Sequence, residues 1–585
     1  MRDACSTPLL LALSAAATLS ACVGRHPAPS PEVAPPTSPS ELLQGFKERG
    51  GLLLDEDPYG DRADRLVYLE QGWGPAETLW YYYADQGSVL FPYDLLVSLE
   101  QVHAEAPFVA PQHMARFRFL AQHATPNNPD GLPIGLARHG DRVGLTCAAC
   151  HTGQINYQGA AMRIDGAPAS LDMIGFLHEV EAAVNATLAD EAKLARFCEA
   201  VARRGGGDGQ RARALLDETS AWLHSYNTAN ATHTPEGFGR MDAIGRIVNQ
   251  VIRFTSDPSN SLAPDAPASF PVLWDAPRHD YVQWVGFASN AGVGGLARNV
   301  GEVIGVFGRV EVTREEPGQK ERAGYASTVD ARALAAMEMS LYDLRSPAWP
   351  EDVLGPIDRA LAARGAEIYQ EGCVSCHAVL DRADPDRKVV AMVTAVDVVG
   401  TDPAEANLLA DARIPTGVLE GATSREGKVY GAEEPALTVL GDLVVGVLTR
   451  QPDAAVRALA YARAHGLDEA PKQGQHVAKS DEDPSADLRA YKARPLNGVW
   501  ASAPYLHNGS VPTLADLLRP PDQRPATFTT GLLEYDPVRV GFAADRVGPF
   551  LVDTSLPGGS NRGHLYGTTL SEPERAALLE YLKTL

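Results

Sequence analysis

Cys147-Ala148-Ala149-Cys150-His151 and Cys373-Val374-Ser375-Cys376-His377 are the stretches on which the reading of this 585-residue chain turns. Two thiols three residues apart can add to the two vinyl groups of one porphyrin. The histidine that follows then presents its imidazole to the iron from the same side. The spacing therefore predicts two covalently attached c-type haems, held by Cys147, Cys150, Cys373 and Cys376, with His151 and His377 as iron ligands. Zinc is the rival for paired cysteines. A four-cysteine zinc site would have to join pairs from opposite halves of the chain, and zinc does not call for a histidine directly after each pair.

Seven cysteines occur in all. Cys5 and Cys22 fall near the N-terminus, four belong to the motifs, and Cys198 is left over. Cys198 lies in a helical-looking run and is expected to be a buried free thiol. Hydrophobic residues make up 45% and charged residues 21%, an ordinary globular balance. The formal net charge of −23 repels phosphate and argues against a nucleic-acid partner.

Residues 1–21 read as an export signal, with Arg2 ahead of an apolar core from Leu9 to Leu19. Leu19-Ser20-Ala21-Cys22 resembles the lipobox of bacterial lipoproteins, which makes Cys22 the expected lipidation site. The apolar core is short for a membrane span, so the membrane is expected to be met through a lipid anchor only, on the periplasmic side. Residues 22–41 are proline-rich and read as a tether.

The body is read as two haem domains, 42–350 and 351–585. Helical spacing marks Ala331 to Leu344, Ile357 to Tyr369, Ala455 to Ala464 and Ser571 to Leu582. The last opens on Ser571-Glu572-Pro573-Glu574, favourable helix-entry chemistry. Strand alternation is sparse, and long Gly- and Pro-rich stretches such as 124–143 and 519–563 intervene. The expected fold is mostly α, two cytochrome c-type haem domains with long ordered loops.

The sixth iron ligand decides between electron transfer and reactivity. His507 lies in the loop Tyr505-Leu506-His507-Asn508-Gly509, where spacing alone admits either a ligand or a structural histidine. Met392 is its rival. For the first haem, His178, His224 and Met241 are the candidates. Met337 and Met339 lie at helical period and read as core. Gly292-Val293-Gly294-Gly295-Leu296-Ala297 imitates a dinucleotide fingerprint without the strand–helix context such a site needs. His279, Asp280 and His233 read as surface or packing residues.

The segment Leu496 to Leu517 resembles the signature of the di-haem cytochrome c peroxidase superfamily, closest to its di-haem rubber oxygenase-like branch. Leu296 to Phe307, Val399 to Pro403, Asn561-Arg562-Gly563-His564 and the terminal helix resemble other parts of that family. The resemblance implies that His507 is the distal ligand of the second haem, with His377 opposite. It also implies that the first haem has no strong distal protein ligand and is the reactive one. A phenylalanine overhanging that haem would match Phe307, for which packing with Val303 and Ile304 is the alternative. Trp284 and Trp274 are candidate pocket walls or an electron route, with packing as their alternative. Gly239 to Gly245 is a further candidate lining. The chain is shorter than typical rubber oxygenases, so polyisoprene cleavage does not carry over.

The expected function is an exported oxidoreductase that uses peroxide or dioxygen at the first haem and relays electrons through the second. Its partners would be a small redox protein donor or a hydrophobic substrate. The alternative is an electron carrier without substrate chemistry. A calcium ion between the domains, as in related peroxidases, stays open. Intact mass of the purified product is expected to show two covalently bound haems per chain. The double variant Cys147→Ser, Cys150→Ser should show one fewer.

Overall fold

A computed structural model describes residue 43 and residues 45–585, apart from 315–323, 425–426 and 468–487. The export segment, the tether and Cys22 lie outside the described residues. No helix among those described is long and apolar enough to cross a membrane.

The mostly α expectation is overturned. The structure is 40% helical and 16% strand, and among the described residues the strands pair into nine small sheets of two or three strands. The reason is length. Many of these strands are two to four residues long, too short for alternation to register in sequence. The longest antiparallel pair, Thr152–Tyr157 with Gly159–Asp165, follows the first motif directly. Its turn residues Gln158 and Gly159 both adopt positive φ, 46° and 81°. That is the backbone a two-residue hairpin loop requires. Ala63–Tyr68 adds to it in parallel. A second pair, Met392–Ala395 with Ala490–Ala493, joins the segment after the second motif to the approach to His507.

The helices anticipated from spacing are present as Ala331–Leu341, Arg359–Gly372, Pro452–Ala464 and Glu572–Thr584. Glu574 closes the entry of the last one, accepting from the Ser571 backbone N–H at 2.9 Å and from its hydroxyl at 2.7 Å. Six other helices open on an aspartate whose carboxylate accepts first-turn N–H groups: Asp172, Asp190, Asp208, Asp242, Asp330 and Asp358. Each such cap contributes about 1 kcal/mol. Part of the chain's acidity is thus spent on helix entry.

The largest apolar cluster draws on both sides of residue 350, bringing Trp73, Tyr81 and Ile164 together with Trp500, Tyr535 and Leu578. A second gathers Phe91, Phe108, Phe176 and Phe307. A third is built by Ala243–Thr255, Gly294–Gly305, Ala331–Leu341 and Ala436–Thr449. Cys198 is a half-buried free thiol at the edge of the second cluster.

Two glycines set the close approaches around the motifs. A Cβ on Gly365 would come within 2.0 Å of the Ala577 carbonyl oxygen, so Arg359–Gly372 and Glu572–Thr584 cross backbone to backbone. Gly135 has φ +89°, and a Cβ there would lie 2.3 Å from the Ala149 Cα, inside the first motif. Gly135→Ala is expected to cost about 2 kcal/mol or more through overpacking and backbone strain. Thermal melting and haem-to-protein ratio check this, with attachment lost at the first motif and retained at the second.

Candidate functional site

Two local frameworks repeat. Cys147–Cys150 forms a single helical turn, capped by the Thr146 side chain, and the His151 N–H donates to the Cys147 carbonyl at 3.0 Å. At the second motif the His377 N–H donates to the Cys373 carbonyl at 2.9 Å. Each histidine's own carbonyl accepts a tyrosine hydroxyl at 2.7 Å, from Tyr81 at the first motif and Tyr369 at the second. Each Nδ1 faces a main-chain carbonyl at 2.7 Å, Pro271 O for His151 and Arg494 O for His377. With a carbonyl as partner Nδ1 must carry the proton, which leaves Nε2 as a lone-pair donor. Burial lowers the pKa of both rings, that of His151 to about 4, so both are neutral at pH 7.

The cysteines suit porphyrin attachment better than zinc. All four are free, and burial pushes the Cys147 and Cys150 thiols up to about 12, away from the thiolate a metal cluster needs. Among the described residues no group of three or more His, Cys, Asp or Glu is placed to hold a metal ion. That finding offers no site for the calcium left open above.

Each motif opens on its own cavity. The first is lined by Cys147, Cys150, His151, Met241, Trp284 and Phe307. The second is lined by Cys373, Cys376, His377, Trp284, His507 and His564. Trp284 therefore borders both, its Nε1 held by the Ser269 carbonyl at 2.9 Å. Between them lies a polar chamber bordered by His151, Trp274, Arg298, Glu302, Lys492 and Arg494. Arg494 stacks over Trp284 at 4.4 Å, and its buried Nε has no partner. The Lys492 ammonium donates to the Tyr281 carbonyl at 3.1 Å and lies 3.2 Å from the His279 Nδ1. Among the described residues neither cation forms an ion pair with a carboxylate. Burying such charges unpaired is costly. Glu302 and Asp275 also border the chamber but form no ion pair with Lys492 or Arg494, so the carboxylate arms of a porphyrin would complement these two, and the residues present fit the group that the motifs imply.

The open faces of the two cavities differ. In the second, the His564 ring centroid lies 6.2 Å from that of His377. Two imidazoles that each bind one metal at about 2 Å have centroids about 6 Å apart. His564 adopts φ +47°, a costly conformation for a non-glycine residue, and its Nδ1 is buried without a partner. Burial lowers its pKa to about 3. His507 also borders this cavity, but its ring stacks on Tyr491 with centroids 4.0 Å apart. Met392 pairs with Ala493 in a strand and is not among the lining residues.

In the first cavity His151 is the one lining histidine. His178 and His224 are exposed, whereas Met241, Asp242, Ala243 and Ile244 from the Gly239–Gly245 segment do line it. Phe307 lines it too, with φ +73°, while its ring also packs on Trp222 at 5.8 Å and Tyr226 at 5.4 Å. Trp274 borders only the intermediate chamber, its Nε1 held by the Asn497 carbonyl. Asp275, Gln283, Phe307, Leu506 and His564 all border these spaces and are five of the eight non-glycine residues with positive φ among those described, so strain concentrates here.

His279 is buried beside Lys492 rather than on the surface, while His233 is exposed and paired with Asp265 at 2.7 Å. Sequence reasoning missed Lys492, Arg494, Tyr81 and Tyr369, for which spacing carries no signal. It quoted His564 without assigning it a role.

Residues 490–529, which include Lys492, Arg494 and His507, match a family model described as RoxA-like, cytochrome c-like. That match supports the rubber-oxygenase-like cytochrome branch and a haem c cofactor, and does not reach the wider peroxidase superfamily. The uncharacterized protein y4iJ of Sinorhizobium fredii (strain NBRC 101917 / NGR234) is 32% identical over 596 residues, spanning 90% of this chain and 94% of that protein. The uncharacterized protein y4iM of the same organism is 28% identical over 302 residues, 51% of this chain and 55% of that protein.

Proposed function

Starting from the membership of this chain in the family of y4iJ, we propose that it is a di-haem c-type cytochrome oxidoreductase, reactive at the His151 cavity and relaying electrons through the His377 cavity. The observation that carries this reading is the asymmetry between two frameworks that are otherwise alike. Among the described residues His377 has a second imidazole across its cavity, and His151 does not. An iron with two protein ligands serves electron transfer, while one with a single protein ligand keeps a position for peroxide or dioxygen.

The chain's own residues would divide the work as follows. Cys147, Cys150, Cys373 and Cys376 attach the porphyrins. The Pro271 and Arg494 carbonyls aim the two proximal imidazoles. Lys492 and Arg494 neutralise carboxylate arms in the chamber between the cavities. Trp284, bordering both cavities with the Arg494 guanidinium on its face, is the proposed route between them. Phe307 and its apolar neighbours exclude water from the reactive side. Peroxide or dioxygen, a small redox protein donor and a hydrophobic substrate remain the proposed partners. Export and a lipid anchor at Cys22 remain the proposed setting, on the periplasmic side of a bacterial membrane.

For the second iron, the 6.2 Å ring separation favours His564 over His507 as the distal ligand. A second functional reading, an electron carrier alone, is favoured by one observation: Met241 lines the first cavity and could cap that iron.

Optical and electron paramagnetic spectra of the purified protein separate these readings. One high-spin and one low-spin haem are expected, with only the high-spin signal changing on peroxide or dioxygen. His564→Ala should convert the low-spin haem, while His507→Ala should leave it low-spin. Two low-spin haems that become one in Met241→Ala would instead establish the carrier.

A further inference from the structure

Beside the first cavity lies a pair of acids, the helix-capping Asp242 and Glu405, to which nothing above assigns chemistry. Glu405 sits in the first turn of the helix Ala404–Asp411 and is 5% exposed. It borders the cavity that holds His151, and its Oε2 is buried with no hydrogen-bond partner. Asp242, fully buried, borders the same cavity from the start of Ala243–Thr255. Both line one cavity, and the charge of Asp242 acts with burial to raise the pKa of Glu405.

Their surroundings are unequal. The Asp242 carboxylate accepts the Gly245 N–H at 2.7 Å and the Ala266 N–H at 2.9 Å. It also caps a helix N-terminus, where negative charge is favoured. Glu405 also stands in the first turn of a helix, but its Oε2 accepts no hydrogen bond. When two buried carboxyls are neighbours, the proton resides on the one whose charged form is less well solvated.

The other groups facing Glu405 do not alter this. From the helix Ala243–Thr255, Arg246 is committed to Glu236 at 2.7 Å. From the strand Ala490–Ala493, the Tyr491 hydroxyl donates to the Asp402 carbonyl at 2.7 Å. On the approach to its own helix, the Asp402 carboxylate accepts the Ala404 and Ser560 N–H groups. The apolar cluster that includes Ala406 and Leu409 of the same helix, with Val285, Ile244 and Trp284, brings no charge. Glu302, the other acid on the cavity, is likewise raised by burial, but it accepts from Gln283 and lies near Arg298, both of which favour its charged form.

We propose that Glu405 is the proton donor of the first haem cavity, supplying a proton to an anionic oxygen or weak-acid ligand held there, with Asp242 setting its acidity. In that step the Glu405 O–H bond breaks and its electron pair stays on the carboxylate. A new covalent bond to that proton forms at the ligand's anionic atom, and solvent water returns a proton to Glu405. Burial, with the Asp242 charge second, holds the Glu405 carboxyl up at about 8, so it carries its proton at neutral pH. Asp242 is raised to about 7 by burial, against its two N–H donors.

This inference rests on the functional reading above for its ligand, but not for its first measurement. Infrared spectroscopy of the purified haem-loaded protein should show the carbonyl stretch of a protonated carboxyl at pH 7. The band should titrate with a midpoint near 8 and vanish in Glu405→Gln. Asp242→Asn should shift the midpoint downward, because a neighbouring negative charge is removed. Fluoride binding, read from the haem absorption, should weaken about tenfold per pH unit above that midpoint in wild type. It should lose that dependence in Glu405→Gln. No such band, or a band unmoved by Glu405→Gln, overturns the proposal even where haem is present at both motifs. A band that behaves as expected in a protein lacking haem absorption would instead sink the functional reading and leave the buried acid in place.

Discussion

The bond from each proximal imidazole to a main-chain carbonyl is the constraint on which both sites depend. A histidine side chain one bond beyond a short helical turn could point several ways and present either nitrogen. The Pro271 and Arg494 carbonyls remove that freedom, each at 2.7 Å from an Nδ1. Both carbonyls come from segments remote in sequence from the motif they serve. The cost of bringing them there is met by the apolar clusters and by the tyrosine hydroxyls that tie down the histidines' own carbonyls. The frameworks are thus the same device assembled twice from different parts.

What distinguishes the two halves is what each device looks out upon. The second cavity meets a strained His564 and a stacked His507. The first meets thioether, aromatic and aliphatic side chains, with two acids behind them. The cationic chamber between them concentrates Arg298, Lys492 and Arg494 inside a molecule whose formal charge is −23. Positive charge is therefore placed where carboxylate arms would need it, against the sign of the whole.

Legibility in the sequence followed the range of the interactions. The attachment motifs are five residues long and could be read outright. Ser571 and Glu574 announced a helix entry because both partners lie within one turn. The short strands stayed hidden, since pairs such as Met392–Ala395 with Ala490–Ala493 are fixed by register across a long separation rather than by local alternation. His507 stood out because its neighbours form a recognisable segment. The geometric case for His564 comes from a ring-to-ring distance to a residue far away in the chain. The same holds for Glu405, whose surroundings come from three separate stretches, and for Arg494, whose carbonyl and guanidinium do different jobs that no spacing can encode.

The crossing at Gly365 and Ala577 ties the second cavity to a segment far along the chain. Leu578 and Leu582 of the helix Glu572–Thr584 wall that cavity, and the Leu585 carbonyl accepts the Gly498 N–H at 2.9 Å. A side chain at 365 would push that wall outward, so the bare Cα of one glycine sets how tightly the cavity is shut.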